Sequence, residues 1–172
     1  MLDYTKIPAE FLVSMDPGKK LLGLAIFKRT TKELTRAVLI KGDEPALLGV
    51  AVADFLFVEK PMRPKNLCFV SEYPQVYRFS KGDPNDLLPL SECVGAVKAA
   101  LLSHELIAGP EYWATYLPRE WKGQVPKDVM VSRIQERLSK DERARVELPR
   151  AKSLSHNVWD AIGIGLKALG RL

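Results

Sequence analysis

Three short apolar segments, separated by connections too short for anything but hairpins, restrict this chain more than any other feature. "FLVSMD" (11–16), "LLGLAIFK" (21–28) and "LTRAVLIK" (34–41) each have the length and composition of a strand. The first pair is joined by "PGKK", with Pro and Gly as turn punctuators, and the second by the polar "RTTKE". Parallel strands need a crossover of about a dozen residues or more, so these three form an antiparallel meander. The rest of the chain must pack on that sheet or extend it.

The segments that follow do both. "GDEPALLGVAVADFLFVEK" (42–60) reads as a helix, with Asp43 as a cap and Glu44 and Pro45 in the first turn. "NLCFVSE" (66–72) is a buried strand that ends in an acid, and "PQVYRFSKGDPN" (74–85) is a loop. "DLLPLSECVGAVKAALLSHEL" (86–106) contains a long amphipathic helix with Pro89 in its entry turn, and "EYWATYLP" (111–118) alternates like a fifth strand. "REWKGQVP" is a polar connection, "KDVMVSRIQERLSK" (127–140) a basic helix, "DERARVELPRAKS" (141–153) an irregular segment, and residues 155–172 a closing helix. The expected class is α/β: a mixed five-stranded sheet, three antiparallel strands plus two parallel ones added through helical crossovers, flanked by helices. A length of 172 residues suits one well-buried domain spanning 1–172.

Composition narrows the partners. The net charge is +5, and its excess is local: ten Lys/Arg stand against six Asp/Glu between Arg119 and Lys152. A polyanion is the partner class that such a stretch suggests, with a solvated, salt-bridged helix face as the ordinary alternative. No apolar run has signal-peptide length or approaches the roughly 18–20 residues of a membrane span, so no membrane partner is expected. Cys68 and Cys93 lack metal-type spacing and read as reduced, buried apolar residues, which points to a reducing, cytoplasmic location.

Asp16 ends the first strand, Glu72 ends the fourth, and Asp160 stands near the start of the last helix. Each borders sequence that should be buried, where an isolated carboxylate is costly unless it is paired, protonated or bound to a cation. Hard divalent ions such as Mg²⁺ or Mn²⁺ prefer oxygen ligands and relieve that cost. Two such ions about 3.5–4 Å apart can clamp the attacking and leaving oxygens of a phosphodiester. Each acid also has an ordinary reading. Asp16 can be a turn residue, Glu72 an exposed strand end, and Asp160 a first-turn acid favoured by the helix dipole. Gly163 and Gly165 each cost about 1 kcal/mol inside a helix, a cost expected if the closing helix must approach the sheet closely enough to set Asp160 beside Asp16. Relief of packing against Trp159-type bulk is the alternative.

Four blocks, "VSMDPGKKLLGLAIF", "FVSEYPQVYRF", "YLPREWKGQVPKDVMVSRI" and "SHNVWDAIGIGLKAL", resemble in order the motifs of RuvC-type Holliday-junction resolvases of the ribonuclease H-like superfamily, most of all the small phage-encoded RuvC-like endonucleases. The resemblance implies a ribonuclease H-like fold, a homodimer, a bacterial or phage-infected cell, and Mg²⁺-dependent hydrolysis at branched DNA. It makes Asp16, Glu72 and Asp160 catalytic metal ligands. Three residues before Asp160, where many members have Asp, this chain has Asn157, with His156 beside it; either could face the metals, since positions 156 or 157 and 160 share a helical face.

Groups suited to holding DNA flank these blocks. Tyr77 and Phe79 are interleaved with Arg78 and Lys81, a pattern for base stacking beside phosphate contacts. In the resembled family an aromatic residue shortly after the glutamate lies near the junction point, which nominates Tyr77, with Tyr73 second; the same aromatics could instead tuck the loop onto the sheet. Lys122 and Lys127 are candidates for phosphates near the scissile bond, and Arg133 and Arg137, four residues apart, for a basic stripe.

The leading expectation is a structure-selective endodeoxyribonuclease that resolves four-way DNA junctions with two Mg²⁺ ions per site, or Mn²⁺ in their place, leaving 5′-phosphate and 3′-hydroxyl ends. A branched-DNA-binding protein with impaired catalysis is the alternative favoured by the missing fourth carboxylate. A ribonuclease H-like nuclease acting on flaps or RNA–DNA hybrids is another. An actin-like nucleotide-binding enzyme shares the "DPG" start but needs a second domain, for which the chain has no room. Residues 90–102, with Val94, Val97, Ala100 and Leu101 on one side, offer a dimer contact unless that face packs entirely on the sheet.

Overall fold

A computed structural model of the chain describes residues 8–58, 66–75, 83, 85 and 87–172. Strands β1 (Phe11–Asp16), β2 (Leu21–Lys28) and β3 (Glu33–Lys41) form the antiparallel meander that their short connections require. Helix α1 (Pro45–Val58) carries the chain over to β4 (Leu67–Glu72), which lies parallel to β1. Helix α2 (Leu87–Ser103) leads to β5 (Trp113–Tyr116), parallel to β4. The sheet order is β3-β2-β1-β4-β5, the mixed five-stranded arrangement expected from the sequence.

Alternation along the strands sorts side chains onto two faces. Phe11, Val13, Met15, Leu24, Ile26 and Phe69 meet Leu48, Val52 and Leu56 of α1 and Cys93, Val97 and Leu101 of α2. Leu12, Ala25, Phe27, Cys68 and Val70 meet the other helices: α4 (Lys127–Arg137) through Met130 and Ile134, and α6 (Ser155–Ala168) through Val158, Ala161, Ile162 and Ile164. Cys68 and Cys93 are free and buried, and burial pushes both thiols up to about 11. Among the described residues no helix is long and apolar enough to cross a membrane.

The structure corrects three sequence expectations. The segment 141–153 is not wholly irregular: it begins in α5 (Lys140–Ala144), and Val146 bridges to Ala37, covering the β3 edge of the sheet. The polar connection after β5 contains a single helical turn, α3 (Pro118–Trp121), whose Glu120 carboxylate accepts from the Leu117 amide at 2.7 Å. On α2, Val97 and Leu101 are fully buried against the sheet, and Val94 and Ala100 pack on the same core, so these four do not form a free face for a second copy.

Candidate active site

Asp16 and Glu72 end neighbouring parallel strands. The β1–β4 register pairs Met15 with Ser71, so the two acids come one residue further on, on the same face of neighbouring strands, whose usual spacing is about 4.8 Å. Asp16 also lies opposite Gly23 of β2. A Cβ at Gly23 would sit 1.8 Å from the Asn157 carbonyl oxygen, so the absent side chain lets the first turn of α6 rest directly on the sheet beside Asp16.

A buried hydrogen bond fixes the depth of α6. The Ser14 hydroxyl, two residues before Asp16, donates to the Ala161 carbonyl at 2.7 Å. Asp160 is thereby held over the strand ends. Because α6 starts at Ser155, Asp160 lies in its second turn, not at the helix-dipole end, and it is only 8% exposed. The two helix glycines divide the packing between them. Gly165 faces Phe27 and Ser14 on the sheet, the close approach expected from the sequence, whereas Gly163 faces Trp121 and Ile134.

Electrostatics ties the three acids together. Burial, then the Asp160 and Glu72 carboxylates, hold the Asp16 carboxyl well above its ordinary range. Burial also raises Asp160, against the opposing pull of Lys122, Lys127 and His156. The His156 ring is therefore close enough to act on Asp160. Its Nδ1 lies 2.6 Å from the Ser153 carbonyl, which can only accept, so Nδ1 carries a proton and donates it to that oxygen. Asn157 meets the sheet through its backbone oxygen.

One cation stands among these carboxylates. Lys122 Nζ lies 3.4 Å from Glu72 Oε2 and 3.9 Å from Asp160 Oδ2. Burial disfavours its charge, but Glu72, Asp160 and Asp16 outweigh that and raise its pKa. The Trp121 indole donates to the same Glu72 Oε2 at 2.7 Å. Sequence reading passed over Trp121 as part of a polar connection; its signal was a large aromatic residue directly before a candidate lysine. Among the described residues, no group of three or more His, Cys, Asp and Glu forms a ready metal-binding set in this arrangement.

The candidate DNA-binding residues divide into three groups. Lys127, the first residue of α4, acts electrostatically on both Asp16 and Asp160. Arg133 and Arg137 of α4 line a cavity of about 530 Å³ together with Arg119, Lys122 and Lys167, so the basic stripe borders the site through Lys122. Arg119 and Lys167 were not singled out from the sequence, which does not reveal that α3 and the end of α6 meet α4. Tyr73 is exposed and turns away from the acids, into a separate cavity of about 610 Å³ beside Val94, Lys98 and Trp113. Tyr77, Arg78, Phe79 and Lys81 lie outside the described residues.

Comparison with known proteins gives the fold but no sequence family. No protein-family model matches the chain, and no curated protein matches it in sequence. Among solved structures, it is similar to RuvC from Thermus thermophilus in complex with a Holliday junction substrate, with a TM-score of 0.60 and 21% identity over 94% of both chains. Another Thermus thermophilus RuvC structure gives a TM-score of 0.61 at 20% identity, over 94% of this chain and 95% of that one. The yeast mitochondrial Holliday junction resolvase Ydc2 gives 0.53 at 10% identity, over 95% and 82%. The fold is that of RuvC-type resolvases.

Proposed function

We propose that the chain is a structure-selective endodeoxyribonuclease of the RuvC type that cuts four-way DNA junctions. The observation that carries this reading is the convergence of Asp16, Glu72 and Asp160, from two strand ends and a helix, at one end of the sheet. The fold shared with junction resolvases, one of them bound to a Holliday junction, supports the choice of substrate.

The donor set fits hard divalent cations. It consists of carboxylate oxygens that repel one another, and that repulsion, added to burial, is felt at Asp16. Asp16, Glu72 and Asp160, with His156 or Asn157 as a neutral partner, would hold two Mg²⁺ ions, or Mn²⁺ in their place. Such ions supply polarisation of the phosphoryl group and activation of water when bound. The chain's own cations do the rest. Lys127, which acts on Asp16 and Asp160, and the start of α4, which has no side-chain cap, would meet the approaching phosphate. Arg119, Arg133, Arg137 and Lys167 offer the neighbouring phosphates a basic cleft. In-line hydrolysis that breaks the bond to the 3′ oxygen leaves 5′-phosphate and 3′-hydroxyl ends. Two copies in a homodimer would make paired nicks.

A second reading is favoured by Asn157 at the place of a fourth acid and by Lys122 lying against the carboxylates: a protein that binds branched DNA without cutting it. Cleavage of synthetic four-way, flap and RNA–DNA hybrid substrates in Mg²⁺ and in Mn²⁺ separates the readings. The nuclease cuts the four-way substrate preferentially, and Asp16→Asn lowers that rate at least a thousandfold, on the order of the loss of an essential catalytic group. Full activity in Asp16→Asn contradicts the mechanism; tight junction binding with no cutting in either metal supports the binding protein.

A further inference from the structure

Two donors converge on one oxygen of Glu72. The Trp121 indole N–H donates to Oε2 at 2.7 Å, and Lys122 Nζ lies 3.4 Å from the same atom. From there the ammonium reaches across to Asp160 Oδ2 at 3.9 Å, while standing 4.9 Å from the centre of the Trp121 ring. The ring itself is fixed: it is 4% exposed and packed on α6 at Gly163, where a Cβ would come within 2.6 Å of its Cζ3. Lys122 follows directly, at the end of α3, so the placement of Trp121 fixes where the lysine stem begins.

We infer that Lys122 is a resident counter-ion: its ammonium takes the place of a divalent cation between Glu72 and Asp160, and an ion enters only as the lysine withdraws. Both cations compete for the same carboxylate oxygens, and two like charges a few ångströms apart repel strongly in a half-buried site. Withdrawal turns the lysine toward solvent, where the phosphates of a bound strand would lie in the cleft that it shares with Arg133 and Arg137. Ion loading and DNA binding therefore assist one another, since each favours the state in which Lys122 has left Glu72 and Asp160.

The inference rests on the reading of the three acids as a cation site, and its test needs neither DNA nor cleavage. Mn²⁺ affinity of the full chain is measured by titration calorimetry for the wild type, Lys122→Gln and Lys122→Arg. Removing the charge tightens Mn²⁺ binding about tenfold, as expected for loss of one competing charge near the site, and Lys122→Arg stays near the wild type. Unchanged or weaker binding in Lys122→Gln overturns the inference, as does equal tightening in both variants. A measurement on the wild type guards against misfolding of the variants: the Lys122 ammonium ¹⁵N resonance shifts as Mg²⁺ is added, and a resonance that does not move while Mg²⁺ binds overturns it equally. A wild type that neither binds divalent ions nor cuts junctions sinks the cation-site reading itself. One that binds and cuts, with unchanged affinity in Lys122→Gln, sinks only this inference.

Discussion

At Gly165 a Cβ would lie 2.2 Å from Phe27 Cε2 and 2.6 Å from the Ser14 hydroxyl, the group whose hydrogen bond to Ala161 holds α6 against β1. The glycine is therefore a condition for that bond and for the height of Asp160 above the strand ends. Gly165→Ala would gain helix propensity of about 1 kcal/mol, yet overpacking of a core typically costs about 1–3 kcal/mol and the buried Ser14 bond is lost as well. The expected net result is a destabilisation of roughly 2 kcal/mol, read as a lower urea midpoint at unchanged slope. A variant as stable as the wild type would mean that α6 can shift without consequence. The pair of glycines was visible in the sequence, and so was close approach to the sheet as their purpose. What could not be read is that only one of them serves it. Gly163 makes room for Trp121, a residue more than forty positions earlier in the chain, and no local pattern links the two.

Helix α5 and the end of the chain form a clasp on the sheet edge that is independent of the candidate site. Glu142 is buried, accepts from the Leu34 and Ser139 amides at 2.8 and 2.9 Å, and is gripped by Arg171 at 2.7 and 3.0 Å. Burial alone would raise its pKa, but Arg171 and the two amides prevail and lower it to about 2 from an ordinary value of 4.5. A depressed folded-state pKa stabilises the fold fully above the unfolded value and loses that effect as pH falls toward 2. Glu142→Gln therefore destabilises the protein at neutral pH by on the order of 3 kcal/mol and removes stability loss from the window between about pH 4.5 and 2. Denaturant titrations at pH 7 and pH 3 measure both; a variant that matches the wild type at pH 7 would contradict the clasp. The helix was missed in the sequence although its signal was there: Ser139 and Glu142 have the spacing of a capping box, and the structure shows both halves of it. The surrounding arginines and the proline that follows masked so short an element.

For the molecule as a whole, the strand order was legible because connection lengths leave few alternatives: three hairpin-joined strands, then two helical crossovers. The meeting of Asp16 and Glu72 follows from the same topology, since parallel neighbours end at the same edge of a sheet. Asp160 was placed from its motif, and the structure supplies the physical reason, a helix seated on Gly23 and tied to Ser14. Less legible was the role of Lys122. Sequence charge marks a lysine as a phosphate contact, but only the fold shows it facing two carboxylates of its own chain. Of the two alternatives for the apolar face of α2, a dimer contact or packing on the sheet, the structure shows packing on the core: helical periodicity identifies an apolar face without saying what covers it. The central claim, that three distant acids form one cation site, is tested most directly by anomalous diffraction from crystals soaked in Mn²⁺. The account predicts strong peaks within ligand distance of Asp16, Glu72 and Asp160, with the Lys122 ammonium moved away. Saturating Mn²⁺ that leaves this place without a peak, and the lysine still bound to Glu72, would contradict it.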